Sequence, residues 1–227
     1  MTLVALSGSS RGIGRATALA LAERGAALAL LARPSPEQRE LEARLERANV
    51  RFTTFACDLE DPESTLTACH GIVERCGTPG AVIANAGAIE RALVVETSPE
   101  SFQRQLAVNL TAPFLMAKAF LPSMLSAGRG RLVFLGSISS TLGTAGAAAY
   151  CASKWGLVGF MKSLAEELRD TGLMTVVLLP GSTDTQMLEG SGFPARMTPD
   201  DVAKSLVHYA LDAPGAHNGS VIEMFGV

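Results

Sequence analysis

The sequence LVALSGSSRGIG, residues 3–14, decides the fold. Its apolar start predicts a buried strand over residues 3–6, and the residues that follow predict a helix near 12–24. Glycines between a strand and a helix let the backbone turn sharply and approach a phosphate, which the free N–H groups of the helix N-terminus can bind. The spacing is G-x-x-x-G-x-G and not the commoner G-x-G-x-x-G. The stretch therefore predicts a nucleotide-binding turn, and an ordinary tight turn is the alternative.

The rest of the chain repeats this alternation of short apolar runs and longer amphipathic stretches. Further strands are expected at 27–31, 51–57, 81–84, 131–136, 174–179 and 220–224, and further helices near 37–48, 62–76, 98–127, 149–170 and 199–211. Buried strands separated by helices form parallel sheets that are covered on both faces. We therefore predict one α/β domain over residues 1–227, a doubly wound, Rossmann-like parallel sheet of about seven strands. Ligands of such sheets bind at the carboxyl ends of the strands.

Composition narrows the class of protein. The 227 residues are 48% hydrophobic and 18% charged, with 19 Lys and Arg against 22 Asp and Glu. A slightly acidic chain without a basic stripe does not suit a nucleic-acid partner. The four cysteines and three histidines are scattered without paired spacing, so we expect neither disulfides nor a metal site.

Membrane and secretion signals are also weak in the sequence. The most apolar stretch, residues 16–32, is interrupted by Glu23-Arg24-Gly25 and does not suit a membrane span. Met1-Thr2-Leu3 leads directly into the first strand, without the basic start of a secretory signal. We therefore expect a cytoplasmic protein whose partner is a small molecule and not a membrane.

The end of the second strand bears on the choice of nucleotide. It is followed by Ala32-Arg33, without the carboxylate that binds the ribose 2′-hydroxyl of NAD in dinucleotide folds. Arg33, and Arg11 in the glycine turn, carry charges suited to a 2′-phosphate. The sequence thus favours NADP(H) over NAD(H), and the alternative is that both arginines are solvated surface residues.

Polar residues also follow the third and fourth strands. The third strand closes with Cys57-Asp58-Leu59, and the fourth with Ala84-Asn85-Ala86-Gly87. Asp58 suits an adenine amino group, and Asn85 suits the backbone groups beneath a cofactor. Each of them alone is typical of a turn or a cap, and their place at the carboxyl ends of strands favours the functional interpretation.

Two scarce residue types lie four positions apart in the predicted helix 149–170. Tyr150 is one of two tyrosines and Lys154 one of four lysines, and this spacing places them on one helix face. A cation within about 4–6 Å stabilises a phenolate and lowers the pKa of the phenol, as acid–base chemistry near neutral pH requires. Ser137, which follows the fifth strand, places a hydroxyl where it could bond a substrate carbonyl. A chance surface pair is the alternative.

Asn109 lies within the predicted helix 98–127, four residues before Pro113. Proline has no N–H, so the Asn109 carbonyl loses its helical hydrogen bond and the helix is expected to kink there. The freed carbonyl suits a bound water, and a kink without a function is the alternative.

Together these pieces resemble the short-chain dehydrogenase/reductase family, in its single-domain branch that includes 3-oxoacyl-carrier-protein reductases and related carbonyl reductases. The resemblance covers essentially the whole chain and extends to Pro180-Gly181 and Thr185. It implies catalytic residues Asn109, Ser137, Tyr150 and Lys154, and with the charges of Arg11 and Arg33 the sequence predicts an NADP(H)-dependent carbonyl reductase. The cofactor-binding residues expected are Gly8, Ser10, Arg11, Gly12, Ile13, Gly14, Arg33, Asp58, Leu59, Asn85, Ala86, Gly87, Tyr150, Lys154, Pro180, Gly181, Thr183 and Thr185.

The resemblance also implies a role for each catalytic residue. Tyr150 protonates the carbonyl oxygen in reduction or deprotonates the alcohol in oxidation, and Ser137 polarises that oxygen. Lys154 lowers the Tyr150 pKa and binds the nicotinamide ribose, and Asn109 carries a water of the proton relay. Residues 185–198, apolar and rich in glycine, would form a lid over a hydrophobic or neutral carbonyl compound.

Alternatives to this function stay open at this point. They are an NAD(P)-linked alcohol or sugar dehydrogenase and a nucleotide-sensing regulator of the same fold without catalysis. The residues Glu223-Met224-Phe225-Gly226 stand where many members carry an Asp-Gly-Gly ending. A homotetramer built through that segment is therefore in doubt, whereas a homodimer through the helices 98–127 and 149–170 is expected.

Overall fold

The computed structural model describes residues 1–226, which contain one sheet of seven parallel strands. The strands are β1 (Leu3–Ser7), β2 (Ala27–Ala32), β3 (Phe52–Ala56), β4 (Ala81–Ala84), β5 (Gly130–Leu135), β6 (Leu173–Pro180) and β7 (Ser220–Met224). Their order in the sheet is β3-β2-β1-β4-β5-β6-β7. The predicted doubly wound parallel sheet is confirmed. The strand order reverses between β1 and β4, so the crevice for a ligand opens at the carboxyl ends of these two strands.

Seven α-helices cover both faces of the sheet in residues 1–226. They are α1 (Gly12–Glu23), α2 (Pro36–Arg47), α3 (Pro62–Cys76), α4 (Pro99–Leu106), α5 (Ala112–Ala127), α6 (Ala148–Glu167) and α7 (Pro199–Leu211). Helices α1, α2 and α7 pack on one face, and α3, α5 and α6 on the other. Side chains alternate along each strand. Val4 and Leu6 therefore pack on the face covered by α1, α2 and α7, and Ala5 packs on the face covered by α3, α5 and α6.

The N-termini of the helices are not all alike. Side chains of Ser35, Asp61, Ser98 and Thr198 cap α2, α3, α4 and α7, and each of these helices has a proline in its first turn. Such caps satisfy backbone N–H groups that have no partner within the helix. The residue before α1, Arg11, makes no side-chain cap, and the first turn of α1 holds no acidic side chain. The N–H groups at this end of α1 are therefore left without a capping side chain.

The predicted helix 98–127 is interrupted. Between α4 and α5 lies a five-residue π-helical segment, Ala107–Thr111, in which Ala112 N–H donates to the Ala107 carbonyl. Pro113 cannot donate a backbone hydrogen bond, so the regular helical pattern fails just upstream of it. The expected kink is therefore present, as a π-helical turn. Its centre is Asn109, which is fully buried.

One long apolar stretch passes through this region. The run Pro99–Ala127 is the one helical stretch within residues 1–226 that is long and apolar enough to cross a membrane, judged by length and composition alone. In this fold α5 packs against α3 and α4 packs against α6, as in the core of a globular domain. Residues 16–32, the most apolar stretch of the sequence, are divided between α1 and β2.

Candidate active site

At two positions of the turn between β1 and α1, only a glycine fits. Gly8 has a φ of +71°, and a Cβ atom placed on it would lie 2.8 Å from the Ala86 Cα. A Cβ on Gly14 would lie 1.9 Å from the Gly8 carbonyl oxygen. Both glycines therefore allow the chain segments after β1 and β4 to approach each other closely.

Asn85 connects the ends of β1 and β4. Its side-chain amide donates to the Ser7 and Gly8 carbonyls, each at 3.0 Å. In return the Ser7 hydroxyl accepts from the N–H groups of Asn85 and Ala86, at 3.1 and 3.2 Å. Asn85 therefore joins backbone groups at the ends of both strands, and the Ser7 hydroxyl, whose role was not predicted, completes the arrangement.

The uncapped N-terminus of α1 opens at this crevice and suits the phosphates of a dinucleotide. The positive end of the helix dipole and free backbone N–H groups favour an anion there. Thr185 covers the turn from the opposite side, because its methyl group lies 3.3 Å from where a Cβ of Gly12 would be. Ile13 packs into the core beneath the turn, and the Ser10 carbonyl is held by the Arg15 guanidinium at 2.9 Å.

The charged side chains predicted at the adenine end, Asp58 and Arg33, are exposed. The Asp58 carboxylate accepts from the Glu60 N–H at 3.1 Å and so forms a turn, while Leu59 packs against the core. Arg33 is exposed and makes no hydrogen bond or ion pair with any residue of 1–226. The Arg11 guanidinium, in contrast, donates to the side-chain carbonyl of Gln186 in the predicted lid. Of the two arginines expected at a 2′-phosphate, Arg33 alone is unengaged.

The residues expected at the nicotinamide end follow β6. Pro180 is the last residue of that strand, and Gly181 N–H donates to the Met224 carbonyl of β7 at 2.7 Å. The Thr183 hydroxyl donates to the Gly181 carbonyl, and the Thr185 hydroxyl to the Thr183 carbonyl. These hydrogen bonds fix the path of the chain from the sheet to the predicted lid, residues 185–198.

Tyr150 and Lys154 lie in the first two turns of α6, at the carboxyl end of β5. Tyr150 is 8% exposed and Lys154 is 3% exposed. The Lys154 ammonium lies 5.7 Å from the centre of the Tyr150 ring and donates to the Leu135 carbonyl at 2.7 Å. An ammonium group has three N–H donors, and this hydrogen bond accounts for one of them. The ribose hydroxyls of a nicotinamide nucleotide would fit the other two.

Burial affects the pKa values of both residues of this pair. Burial raises the Tyr150 pKa above its ordinary value, whereas the Ser137 hydroxyl and the Arg91 charge act to lower it. Burial also lowers the Lys154 pKa to about 8. Acceptors brought to the free donors of Lys154 would favour its charged form.

Ser137 and Asn109 complete the predicted set of catalytic residues. Ser137 begins a short 3-10 turn after β5, and its hydroxyl accepts from the Ser139 N–H at 3.1 Å. The Asn109 side chain accepts from the Ala88 N–H and donates to the Ala88 carbonyl, both at 2.8 Å. It also donates to the Ser153 hydroxyl at 3.0 Å, which in turn donates to the Tyr150 carbonyl. Asn109 therefore links the segment after β4 to the helix that carries Tyr150.

A family model described as short chain dehydrogenase matches residues 2–192, which include all the predicted catalytic and cofactor-binding residues. The chain belongs to the short-chain dehydrogenase/reductase family. Its relatives are oxidoreductases, and so is this protein.

Three relatives cover most of this short-chain dehydrogenase. Carbonyl reductase family member 4 of Danio rerio is 35% identical over 188 residues, which are 83% of this chain and 78% of the relative. NADPH-dependent pterin aldehyde reductase of Arabidopsis thaliana is 30% identical over 220 residues, 95% of this chain and 90% of the relative. A 3-oxoacyl-acyl-carrier-protein reductase of Vibrio cholerae is 32% identical over 182 residues, 80% of this chain and 73% of the relative.

Solved structures show the same fold. A Beutenbergia cavernae protein assigned as an NAD(P)-dependent gluconate 5-dehydrogenase, with NADP bound at low occupancy, superposes with a TM-score of 0.90 at 28% identity. The match covers 98% of this chain and 94% of that one. Levodione reductase gives a TM-score of 0.91 at 24% identity, over 98% of this chain and 95% of that one.

Arg91 was not among the predicted site residues of this short-chain dehydrogenase, and Met187 was predicted only as part of the lid. Arg91, which follows β4, donates to the Met187 carbonyl at 3.1 Å. The Met187 sulfur lies 3.9 Å from the Tyr150 hydroxyl, and its methyl group lies 3.4 Å from where a Cβ of Gly87 would be. The position of Arg91 at the carboxyl end of a strand was a usable signal. Nothing in the sequence shows that Met187 reaches Tyr150.

Proposed function

We propose that this short-chain dehydrogenase/reductase is an NADP(H)-dependent reductase of a small carbonyl compound, with the reverse oxidation of the alcohol as its equilibrium counterpart. The observation that carries the proposal is the buried Tyr150–Lys154 pair, with Ser137 beside it, at the edge of the sheet where the uncapped helix α1 begins. This arrangement puts a proton donor next to a place suited to a dinucleotide.

Each residue has a defined task in the reduction. When bound, the nicotinamide cofactor supplies the hydride. The Ser137 hydroxyl donates a hydrogen bond to the carbonyl oxygen, and the Tyr150 hydroxyl transfers its proton to the same oxygen. Lys154 holds the ribose hydroxyls with its free N–H donors and stabilises the phenolate that remains on Tyr150. The Asn109 backbone carbonyl, at the π-helical turn, holds a water through which the proton is replaced.

The preference for NADP(H) rests on Arg33. Its guanidinium is exposed and unengaged beside Ala32, a position where an NAD-binding protein would place a carboxylate. The Arabidopsis thaliana relative is NADPH-dependent, and the Beutenbergia cavernae structure contains NADP, which supports the same choice. Arg11 would join Arg33 only after it releases Gln186.

A panel of ketones, aldehydes and 3-oxoacyl thioesters with NADPH and with NADH tests the proposal. We expect consumption of NADPH, followed by its absorbance, with at least one class of carbonyl compound. Oxidation of alcohols or sugars without measurable reduction would favour the alternative dehydrogenase. Tight binding of the nucleotide with no turnover of any compound would favour a nucleotide-sensing regulator.

A further inference from the structure

Arg91 stands on a segment of backbone that is fixed at both ends. Ala88, three residues before it, is bonded through its N–H and its carbonyl to the buried Asn109 side chain. Ala92, the next residue, donates to the Gly146 carbonyl at 3.0 Å and pairs with Ala147, close to the start of α6. The Arg91 side chain therefore projects from a defined position near the catalytic tyrosine.

The Arg91 guanidinium and the Tyr150 hydroxyl meet at one lid residue. Arg91 binds the Met187 carbonyl, and Tyr150 contacts the Met187 sulfur. The Arg91 charge also acts on the phenol, because it lowers the Tyr150 pKa. A substrate whose carbonyl oxygen reached Tyr150 would take the place of the Met187 side chain and would extend toward the guanidinium.

The charge of Arg91 is not neutralised within residues 1–226. None of their ion pairs includes it, and the neighbouring Glu90 is paired with Arg104. The hydrogen bond to the Met187 carbonyl is a bond to a neutral acceptor. A carboxylate binds a guanidinium more strongly, by charge-assisted and often paired hydrogen bonds, so it would displace that carbonyl.

We propose that Arg91 binds a carboxylate of the substrate and that this enzyme therefore reduces oxo acids, compounds with a ketone or aldehyde near a carboxylate. The proposal rests on the reductase function proposed above and names its class of substrate. Exchange of the Met187 carbonyl for the carboxylate frees the lid segment, so the Met187 sulfur leaves Tyr150 when the substrate arrives. This differs from the neutral compound that the apolar lid sequence suggested.

The test compares oxo acids with their methyl esters. A series with increasing distance between ketone and carboxylate is assayed with the wild type and with the Arg91→Ala, Arg91→Lys and Arg169→Ala variants. Arg169 is exposed near the far end of α6, so Arg169→Ala removes the same charge away from the site. Binding of each acid to the NADPH complex is measured in parallel by calorimetry.

We expect the wild type to prefer at least one acid to its ester in kcat/KM. Arg91→Ala is expected to lose about tenfold or more of that preference, mainly through KM, as for a hydrogen bond to a charged group. Arg91→Lys should restore part of it, and Arg169→Ala should keep it in full.

Two results would overturn the role of Arg91: equal losses on acids and esters in Arg91→Ala, or a wild type without a preference for any acid. If no compound is turned over, the proposed reductase function fails. Calorimetry then tests the carboxylate site separately. Weaker binding of the acid to Arg91→Ala than to the wild type supports the site, and equal binding to both proteins overturns it.

Discussion

The candidate active site has two sides, a buried catalytic wall formed by Tyr150, Lys154 and Asn109 and a lid wall formed by residues 185–198, and they are held in place by different contacts. On one side Tyr150, Lys154 and Asn109 are almost completely buried. The side chains of Asn109 and Lys154 donate to the Ala88 and Leu135 carbonyls, and the Tyr150 carbonyl accepts from the Ser153 hydroxyl. On the other side the lid is held by the guanidinium groups of Arg11 and Arg91, which bind Gln186 and the Met187 carbonyl. The residues proposed for the chemistry are therefore fixed by the core of the fold, whereas the predicted lid is held by contacts that a ligand could replace.

The largest expected effect comes from the catalytic wall. Tyr150→Phe removes the proton donor and leaves the ring in place, so kcat is expected to fall by roughly 10²–10⁴-fold with little change in cofactor binding. Turnover is followed with any accepted carbonyl compound. Tyr209→Phe, which changes the other tyrosine in α7, is the matched control and should keep full activity. A loss of less than about tenfold in Tyr150→Phe would contradict proton transfer by this residue.

A substitution of Asn109 tests whether the hydrogen bonds that fix the buried wall are needed for turnover as well as for stability. Asn109→Ala removes the hydrogen bonds to Ala88 and Ser153 and leaves buried groups without partners, so the free energy of unfolding should fall by about 1–3 kcal/mol together with kcat. Urea unfolding and steady-state kinetics measure both. Asn218→Ala removes hydrogen bonds to Thr175 and Ala165 far from the site. It should lower stability alone, and an equal loss of kcat there would show that the Asn109 effect is only a loss of stability.

Arg33 lies outside both walls and tests the choice of cofactor. Arg33→Asp replaces the cation expected at the 2′-phosphate by an anion, so the ratio of kcat/KM for NADPH to that for NADH should fall by at least about tenfold. Arg44→Asp makes the same change in charge in the last turn of α2 and should leave the ratio unchanged. Equal losses with both cofactors in Arg33→Asp would remove the argument for a 2′-phosphate site.

The lid wall is expected to give smaller effects. Met187→Ala removes the side chain whose sulfur lies 3.9 Å from the Tyr150 hydroxyl, and a thioether sulfur is only a weak hydrogen-bond acceptor. The KM for the carbonyl substrate should therefore fall severalfold while kcat changes little. Leu188→Ala alters the next residue of the lid and serves as the control. A fall in kcat as large as that of Tyr150→Phe would show that Met187 belongs functionally to the catalytic wall.

The smallest expected effect is on the pH dependence of the reaction, because Arg91 on the lid side acts on Tyr150 in the buried wall. Arg91 lowers the Tyr150 pKa, so Arg91→Ala should raise it. Reduction needs the protonated phenol, and its rate falls as the pH rises through that pKa. The decline of kcat/KM at high pH should therefore move upward, by roughly a fraction of a pH unit for a partly exposed charge. An ester substrate is used so that carboxylate binding does not enter, and a downward shift would contradict the assignment.

The buried wall could be predicted from the sequence to a large extent, because its signals are local. The glycine turn before α1, the four-residue spacing of Tyr150 and Lys154, and the missing N–H of Pro113 each act within one or two helical turns. The direction of the Tyr150 pKa could not be predicted in this way. It depends on burial, which raises the pKa and outweighs the lowering by the Ser137 hydroxyl and the Arg91 charge.

The lid contacts could not be predicted for a related reason. Arg91 and Met187 are 96 positions apart, and neither residue is part of a periodic pattern. Their meeting depends on how the segments after β4 and β6 leave the sheet. Apolar composition alone pointed to a neutral substrate, and a single charged side chain from another segment changes that interpretation.

The uncapped start of α1 also affects how firmly the protein is folded. A missing N-cap costs a helix about 1 kcal/mol, and the other long helices that begin with a serine, threonine or aspartate do not carry this deficit. A dinucleotide that binds only the folded chain offsets it and stabilises the protein further as its concentration rises. The melting temperature should therefore report nucleotide binding without any turnover, and NADPH and NADH can be ranked before a substrate is known.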